Sequence, residues 1–159
     1  TVDTHFMDGY QCVDCKDIHE DPYINTLNCS SRQIYEFVEW IKEQEFYEDT
    51  TIVIAGDHLN MGGTYVATID REYNRTVYFT IVNPAIEYTG DKSHLYTTMD
   101  FFPTTLAAMG VEIEGNRLGL GTNLFATDMD TLSDKYGHEG LCEELEKGSE
   151  YYKNNFTEE

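Results

Sequence analysis

The run Thr51, Ile52, Val53, Ile54 and Ala55 constrains the fold more than any other stretch of the chain. It is short, β-branched and continuous rather than alternating, which is the pattern of a strand covered on both faces. A second run, 76–82, stops at Asn83-Pro84, where proline ends a ladder, and reads as another core strand. Ahead of both, Ile34, Phe37, Val38 and Ile41 give the stripe of an amphipathic helix over 31–44. Ser30 or Ser31 is placed to cap it, with Glu36, Glu39 and Glu43 towards solvent. Residues 97–110 read as a further helix, with Asp100 as cap, Pro103 in the first turn and Gly110 as its end. Strands separated by helices predict an α/β fold, a mostly parallel sheet flanked by helices with right-handed crossovers.

Charge narrows the partners. Thirty acidic residues against ten basic ones give a formal charge of −20. The basic residues are scattered, so neither nucleic acid nor an anionic membrane surface is a fitting partner. Hydrophobic residues make up 40% of the chain, enough for a core, so acidity here does not imply disorder. No apolar run reaches the length of a membrane helix, and the opening Thr1-Val2-Asp3-Thr4-His5 is neither a signal peptide nor an initiator terminus. The expectation is a piece of a larger protein, with any address or anchor outside it. The Glu-rich end reads as a solvated tail holding one exposed helix.

Asp57-His58 is the sharpest chemical feature. Ligands collect at the carboxyl ends of strands in α/β sheets, and this pair follows the buried run directly. Successive strand side chains point to opposite faces, so both residues reach one ion only if the chain turns at Gly56-Asp57. A carboxylate oxygen with an imidazole nitrogen suits Zn²⁺ or Mn²⁺ better than Ca²⁺. An inert hydrogen-bonded loop pair is the competing reading. His5 lies where a short β-type run meets the Asp8-Gly9 turn, and would emerge at the same edge if residues 1–5 paired in parallel beside 51–55. There it would bind metal or a phosphate oxygen, against the alternative of an ordinary structural histidine. His94 is a weaker candidate, and His19 and His138 lie in acidic surroundings where a surface role is the default.

Four cysteines, Cys12, Cys15, Cys29 and Cys142, admit three disulfide connectivities. The Cys12-Val13-Asp14-Cys15 spacing sits among aspartates, away from any helix start, which argues against a thioredoxin-like thiolate. A zinc set of Cys12, Cys15, His19 and Cys29 is conceivable, though its spacing matches no common finger. In an oxidising compartment, disulfides stapling residues 10–30 are the more economical account, with Cys15–Cys29 the favoured pair.

Taken together, the motifs resemble the phosphoglycerol transferases and lipoteichoic acid synthases of the alkaline phosphatase and sulfatase superfamily. Val2 to Gly9 is similar to a D-T-H-x-P-D-G segment, with Met7 in the proline position. Thr51 to His58 resembles the family's metal-binding strand end. Met99 to Gly110 resembles a late helix of the superfamily, and Leu118 to Phe125 a G-L-G-x-N-L-F stretch. The resemblance spans most of residues 1–126, implying the C-terminal part of an alkaline-phosphatase-like catalytic domain, followed by an acidic, partly helical tail over 127–159.

The resemblance implies that Asp57 and His58 hold a divalent ion, Mn²⁺ or Mg²⁺ with Zn²⁺ possible, and that His5 helps hold a glycerophosphate group. It also implies a threonine nucleophile and a further acidic ligand in an upstream half of the same domain, so no catalytic nucleophile is assigned to this chain. The activity implied is transfer of phosphoglycerol from a phosphatidylglycerol-type lipid to a glycan or polyglycerolphosphate acceptor. The parent would be membrane-anchored, with this domain on the extracytoplasmic face. A sulfatase or phosphodiesterase of the same superfamily, and a non-catalytic module with a vestigial metal site, are the alternatives.

Overall fold

The computed structural model describes residues 11–61, 63–88, 90 and 93–156. They fall into two compact units, residues 1–83 and 84–159.

The first unit is organised around α1 (Pro22–Lys42). This helix starts nine residues before the predicted 31–44 segment. Asp21 caps it by accepting the Tyr23 amide, and Pro22 occupies the first helical position, where no amide is needed. Its first half is not apolar, yet Asn25 and Thr26 are buried. Asn25 is only 1% exposed and uses all of its hydrogen-bonding capacity. Its Oδ1 accepts the Ile18 and His19 amides at 3.1 and 2.9 Å, and its Nδ2 donates to Asp17 Oδ1 and the His19 carbonyl. Asn25→Ala should therefore cost about 3 kcal/mol, since it strands buried backbone groups. Urea unfolding followed by the fluorescence of Trp40, the chain's one tryptophan, measures that loss directly.

After a 3₁₀ turn (Glu45–Asp49) the chain forms β1 (Ile52–Ala55), then α2 (Gly63–Thr68) and β2 (Phe79–Val82). β1 and β2 pair antiparallel, Ile52 opposite Val82 and Ala55 opposite Phe79. The mostly parallel sheet expected from the sequence is thus not what these strands make together. An antiparallel pair is a common addition to a parallel sheet, and a continuous apolar run carries no information on strand direction. Nor is β1 covered on both sides, because Val53 and Ala55 are exposed while Ile52 and Ile54 are half-buried. Asn83 closes β2 in a left-handed conformation (φ 55°). Its Nδ2 donates to the carbonyls of Tyr47 and Thr50 at 2.7 and 2.9 Å, tying the end of β2 to the entry of β1.

In the second unit a 3₁₀ turn (Thr98–Asp100) leads into α3 (Phe101–Ala108). The cap is Thr97 rather than Asp100: the two form a reciprocal capping box across the turn. Gly110 ends the helix as expected, at φ 83°, with Val111 N donating back to the Leu106 carbonyl. Two short strands follow, β3 (Arg117–Leu118) and β4 (Gly121–Thr122), paired antiparallel. The acidic end carries α4 (Leu132–Leu145) and α5 (Glu150–Phe156).

Asp100 and Thr104 lock α3 to the glycine-rich stretch. The Asp100 carboxylate, 3% exposed, accepts the Thr122 amide and the Thr97 amide, each at 2.8 Å. Thr104 Oγ1 donates to the Asp100 carbonyl at 2.6 Å and accepts the Leu124 amide at 3.0 Å. Gly121 lies so close that an added Cβ would stand 2.0 Å from the Met99 carbonyl oxygen.

A second, half-buried carboxylate organises α4. Asp134 accepts from the Thr131 and Leu95 amides, and its Oδ2 lies 2.7 Å from Nδ1 of the buried His94. Burial pushes the Asp134 carboxyl up, but the hydrogen bonds from His94, Leu95 and Thr131 outweigh it and hold it at about 2, below its ordinary 3.8. The folded-state value is depressed, so this stabilisation is complete above pH 3.8 and is lost as pH falls through about 2. Helical circular dichroism through denaturant titrations across that window should show a loss of about 2 kcal/mol, absent in Asp134→Asn.

Candidate metal centre

The site is built at the end of β1. The strand's last ladder contact is Gly56 N donating to the Tyr78 carbonyl at 2.8 Å, after which the chain leaves the sheet. Glycine is not demanded there by a left-handed turn, since Gly56 is not among the positive-φ residues. Asp57 Oδ1 accepts the amide of His58 at 2.9 Å, which turns the carboxylate back over the following peptide. Both side chains are open to solvent, 79% for Asp57 and 46% for His58.

The imidazole is oriented by its own backbone. His58 Nδ1 lies 2.8 Å from the Leu59 carbonyl oxygen. A carbonyl only accepts, so Nδ1 carries the proton and in the neutral ring Nε2 carries the lone pair. That lone-pair nitrogen lies 3.7 Å from Asp57 Oδ2. Two ligands at tetrahedral positions, each about 2.1 Å from one ion, are about 3.4 Å apart, so the pair is within a few tenths of an ångström of sharing an ion. The backbone contact on Nδ1 is the kind of outer partner that ligating histidines keep. Asp57 and His58 therefore fit a divalent cation as two of its ligands, and the turn needed to bring both to one side is present.

Arg75 is a contributor that sequence reasoning missed. Its Nη2 donates to the Asn60 carbonyl, holding the loop that follows His58. No motif marks it, because the two residues meet only through the fold. Of the other candidates, His5 lies outside the described residues, as does the proposed pairing of residues 1–5 beside β1. His94 belongs to the Asp134 contact in the second unit. His138 is exposed on α4. His19 is exposed and accepts the Asp21 amide on Nδ1 at 2.9 Å.

The cysteines do not form the expected staple. All four are free thiols. Cys12, Cys15 and Cys29 instead bring their sulfurs within 4.8 Å of one another, with Cys12 Sγ 3.6 Å from Cys15 Sγ and 3.8 Å from Cys29 Sγ, well beyond a disulfide bond. Cys142 is exposed on α4.

Among the described residues, no helix is long and apolar enough to cross a membrane.

A family profile described as Sulfatase matches residues 8–111, taking in α1, both strands of the first unit and α3. Among curated proteins the chain is 30% identical over 135 residues to Phosphoglycerol transferase I of Salmonella choleraesuis, covering 77% of this chain and 16% of that protein. It is 31% identical over 133 residues to the proteins of the same name from Salmonella typhi and Escherichia coli, covering 76% of this chain and 16% of each. It thus spans about one sixth of the length of these relatives. No solved structure gives a significant match. With well over half of its residues under the profile, and with relatives named phosphoglycerol transferase along most of its length, the chain belongs to the sulfatase family.

Proposed function

We propose that this chain is part of a metal-dependent phosphoglycerol transferase. It would work with an upstream half of the same catalytic domain, whose threonine takes a phosphoglycerol group from a phosphatidylglycerol-type lipid and passes it to a glycan or polyglycerolphosphate acceptor. The observation that carries this reading is the Asp57–His58 pair, preset for one cation in a chain whose relatives are named Phosphoglycerol transferase I. Asp57 Oδ2 and His58 Nε2 would hold the ion, with Mn²⁺ favoured and Mg²⁺ or Zn²⁺ as alternatives. When bound, such an ion lowers the pKa of an attacking hydroxyl and neutralises phosphoryl charge.

The chain's own residues do the rest. Leu59 fixes the His58 tautomer, Arg75 holds the loop beyond it, and His5 would hydrogen-bond the glycerophosphate group. A chain of net charge −20 repels phosphate, so a cation at Asp57 and His58 is what makes the local field attractive. A lipid donor places the reaction at a membrane, and the reading puts the membrane-anchored parent's domain on the extracytoplasmic face.

The test compares this chain with the complete parent domain, supplied with Mn²⁺, a phosphatidylglycerol analogue and a glycan acceptor. Transfer product is expected from the parent domain alone, and only with metal. Turnover by this chain in isolation would sink the divided-site reading. Free glycerol phosphate as the sole product, with acceptor present, would assign hydrolysis, the chemistry that the profile name Sulfatase favours.

A further inference from the structure

The three-cysteine cluster of the first unit has no part in phosphoryl transfer, and its geometry suits a different task. Cys12 and Cys15 flank a tight turn closed by the Cys15 amide donating to the Cys12 carbonyl at 3.1 Å. Cys29 comes from α1 and is 4% exposed. The chain thus folds a loop back over a helix and brings together sulfurs that are 3 and 17 residues apart.

A disulfide accounts for two sulfurs and leaves the third as an orphan. A metal accounts for all three. Thiolates bound to Zn²⁺ at about 2.3 Å in a tetrahedron stand about 3.8 Å apart, and the two measured separations are 3.6 and 3.8 Å. The surroundings suit thiolates as well. Arg32 Nη2 lies 3.6 Å and Gln33 Nε2 3.4 Å from Cys29 Sγ, and the same Arg32 nitrogen donates to the Asp14 carbonyl at 3.1 Å, joining the turn to the helix. Three thiolates around a divalent ion carry one net negative charge, and the Arg32 guanidinium, which also pairs with Glu36 at 2.8 Å, offsets part of it.

We propose that Cys12, Cys15 and Cys29 form a binding site for a thiophilic divalent cation, Zn²⁺ above all, which pins residues 12–15 to α1. The exposed Cys12 gives the ion its way in, and a water oxygen completes the tetrahedron on that side. His19, the nitrogen ligand that sequence spacing suggests, is not part of the set: neither ring nitrogen joins the three sulfurs within 4.8 Å, and its Nδ1 accepts the Asp21 amide. Binding converts three S–H groups to thiolates and releases their protons to solvent.

The test uses the full chain, reduced and handled without oxygen, and titrated with Co²⁺ and then Zn²⁺. One equivalent of Co²⁺ should bind with a thiolate-to-metal charge-transfer band and the intense visible bands of a tetrahedral site, and Zn²⁺ should displace it. Cys12→Ser, Cys15→Ser and Cys29→Ser should each weaken Zn²⁺ binding by about 100-fold or more, a loss that even outer-sphere partners can cause. Cys142→Ser should leave it unchanged. The proposal is overturned if the reduced wild-type chain gives no charge-transfer band, or if the three variants bind as the wild type does. It is equally overturned if air-isolated protein carries a disulfide within the trio and, once reduced, takes up no metal. Asp57→Ala should keep the cobalt spectrum, so failure here and failure of the transferase reading are told apart.

Discussion

Replacing Asp57 with alanine in the parent domain should lower metal-dependent transfer by about 1,000-fold, roughly 4 kcal/mol of transition-state stabilisation, while leaving the fold intact. The separation of the two effects follows from exposure. The Asp57 side chain is 79% open and makes one local hydrogen bond, to the His58 amide, so little folding energy rides on it. Its proposed partner atom, His58 Nε2, lies 3.7 Å away and would lose the second arm of a chelate. His58→Ala should behave alike, and the double variant should be little worse than either single one, because one ion is lost in each case. Steady-state rates over a Mn²⁺ titration, alongside Trp40-monitored unfolding, check both halves. If Asp57→Ala kept its rate and metal affinity, the metal role would be wrong.

The largest effect on stability is expected at Asp100. In Asp100→Asn the side chain keeps its shape and one acceptor oxygen, but turns an NH₂ towards a backbone amide that needs an acceptor. The Thr122 and Thr97 amides both point at this carboxylate, and only one can be satisfied after the change. Hydrogen bonds to a charged group and the penalty for a stranded buried amide together place the loss at about 4 kcal/mol. The readout is hydrogen exchange at the amides of α3. Protection of Ala107 and Ala108 should fall together with that of Thr122 and Leu124. Loss confined to one segment would show that the carboxylate does not couple them.

What the sequence made legible follows from the range of each interaction. The turn after β1 and the meeting of Asp57 with His58 involve adjacent residues, and local pattern sufficed. The end of α3 at Gly110 was equally local. The start of α1 was obscured for a specific reason: Asn25 and Thr26 break the apolar stripe, yet they are buried because a loop folds back to bond with Asn25. Asp21-Pro22 carried the correct signal, a capping side chain before a helix-starting proline, and it outranks periodicity there. The antiparallel pairing of β1 and β2 was not legible, since direction is set by how the 23 residues between Ala55 and Phe79 return, which no local pattern encodes. Arg75 shares that character, since Asn60 is brought to it by the fold and spacing alone does not foretell it. The sulfur trio was partly legible: the zinc set read from the sequence named all three cysteines but also His19, which does not join them.

The lock between α3 and β4 grips peptide groups. Asp100 and Thr104 hold the amides of Thr122 and Leu124, and the hydroxyl of Thr122 has no partner among the described residues. Identity matters at three positions of this stretch: Gly119, left-handed at φ 58°, Gly121, where a methyl group would collide with the Met99 carbonyl, and Asn123, whose Nδ2 donates to Asn116 Oδ1 and whose Oδ1 accepts the Phe125 amide. Leu118 and Leu120, both turned outward, can change character without moving the loop that carries them. Such a segment is a fixed scaffold with an editable surface at those two positions.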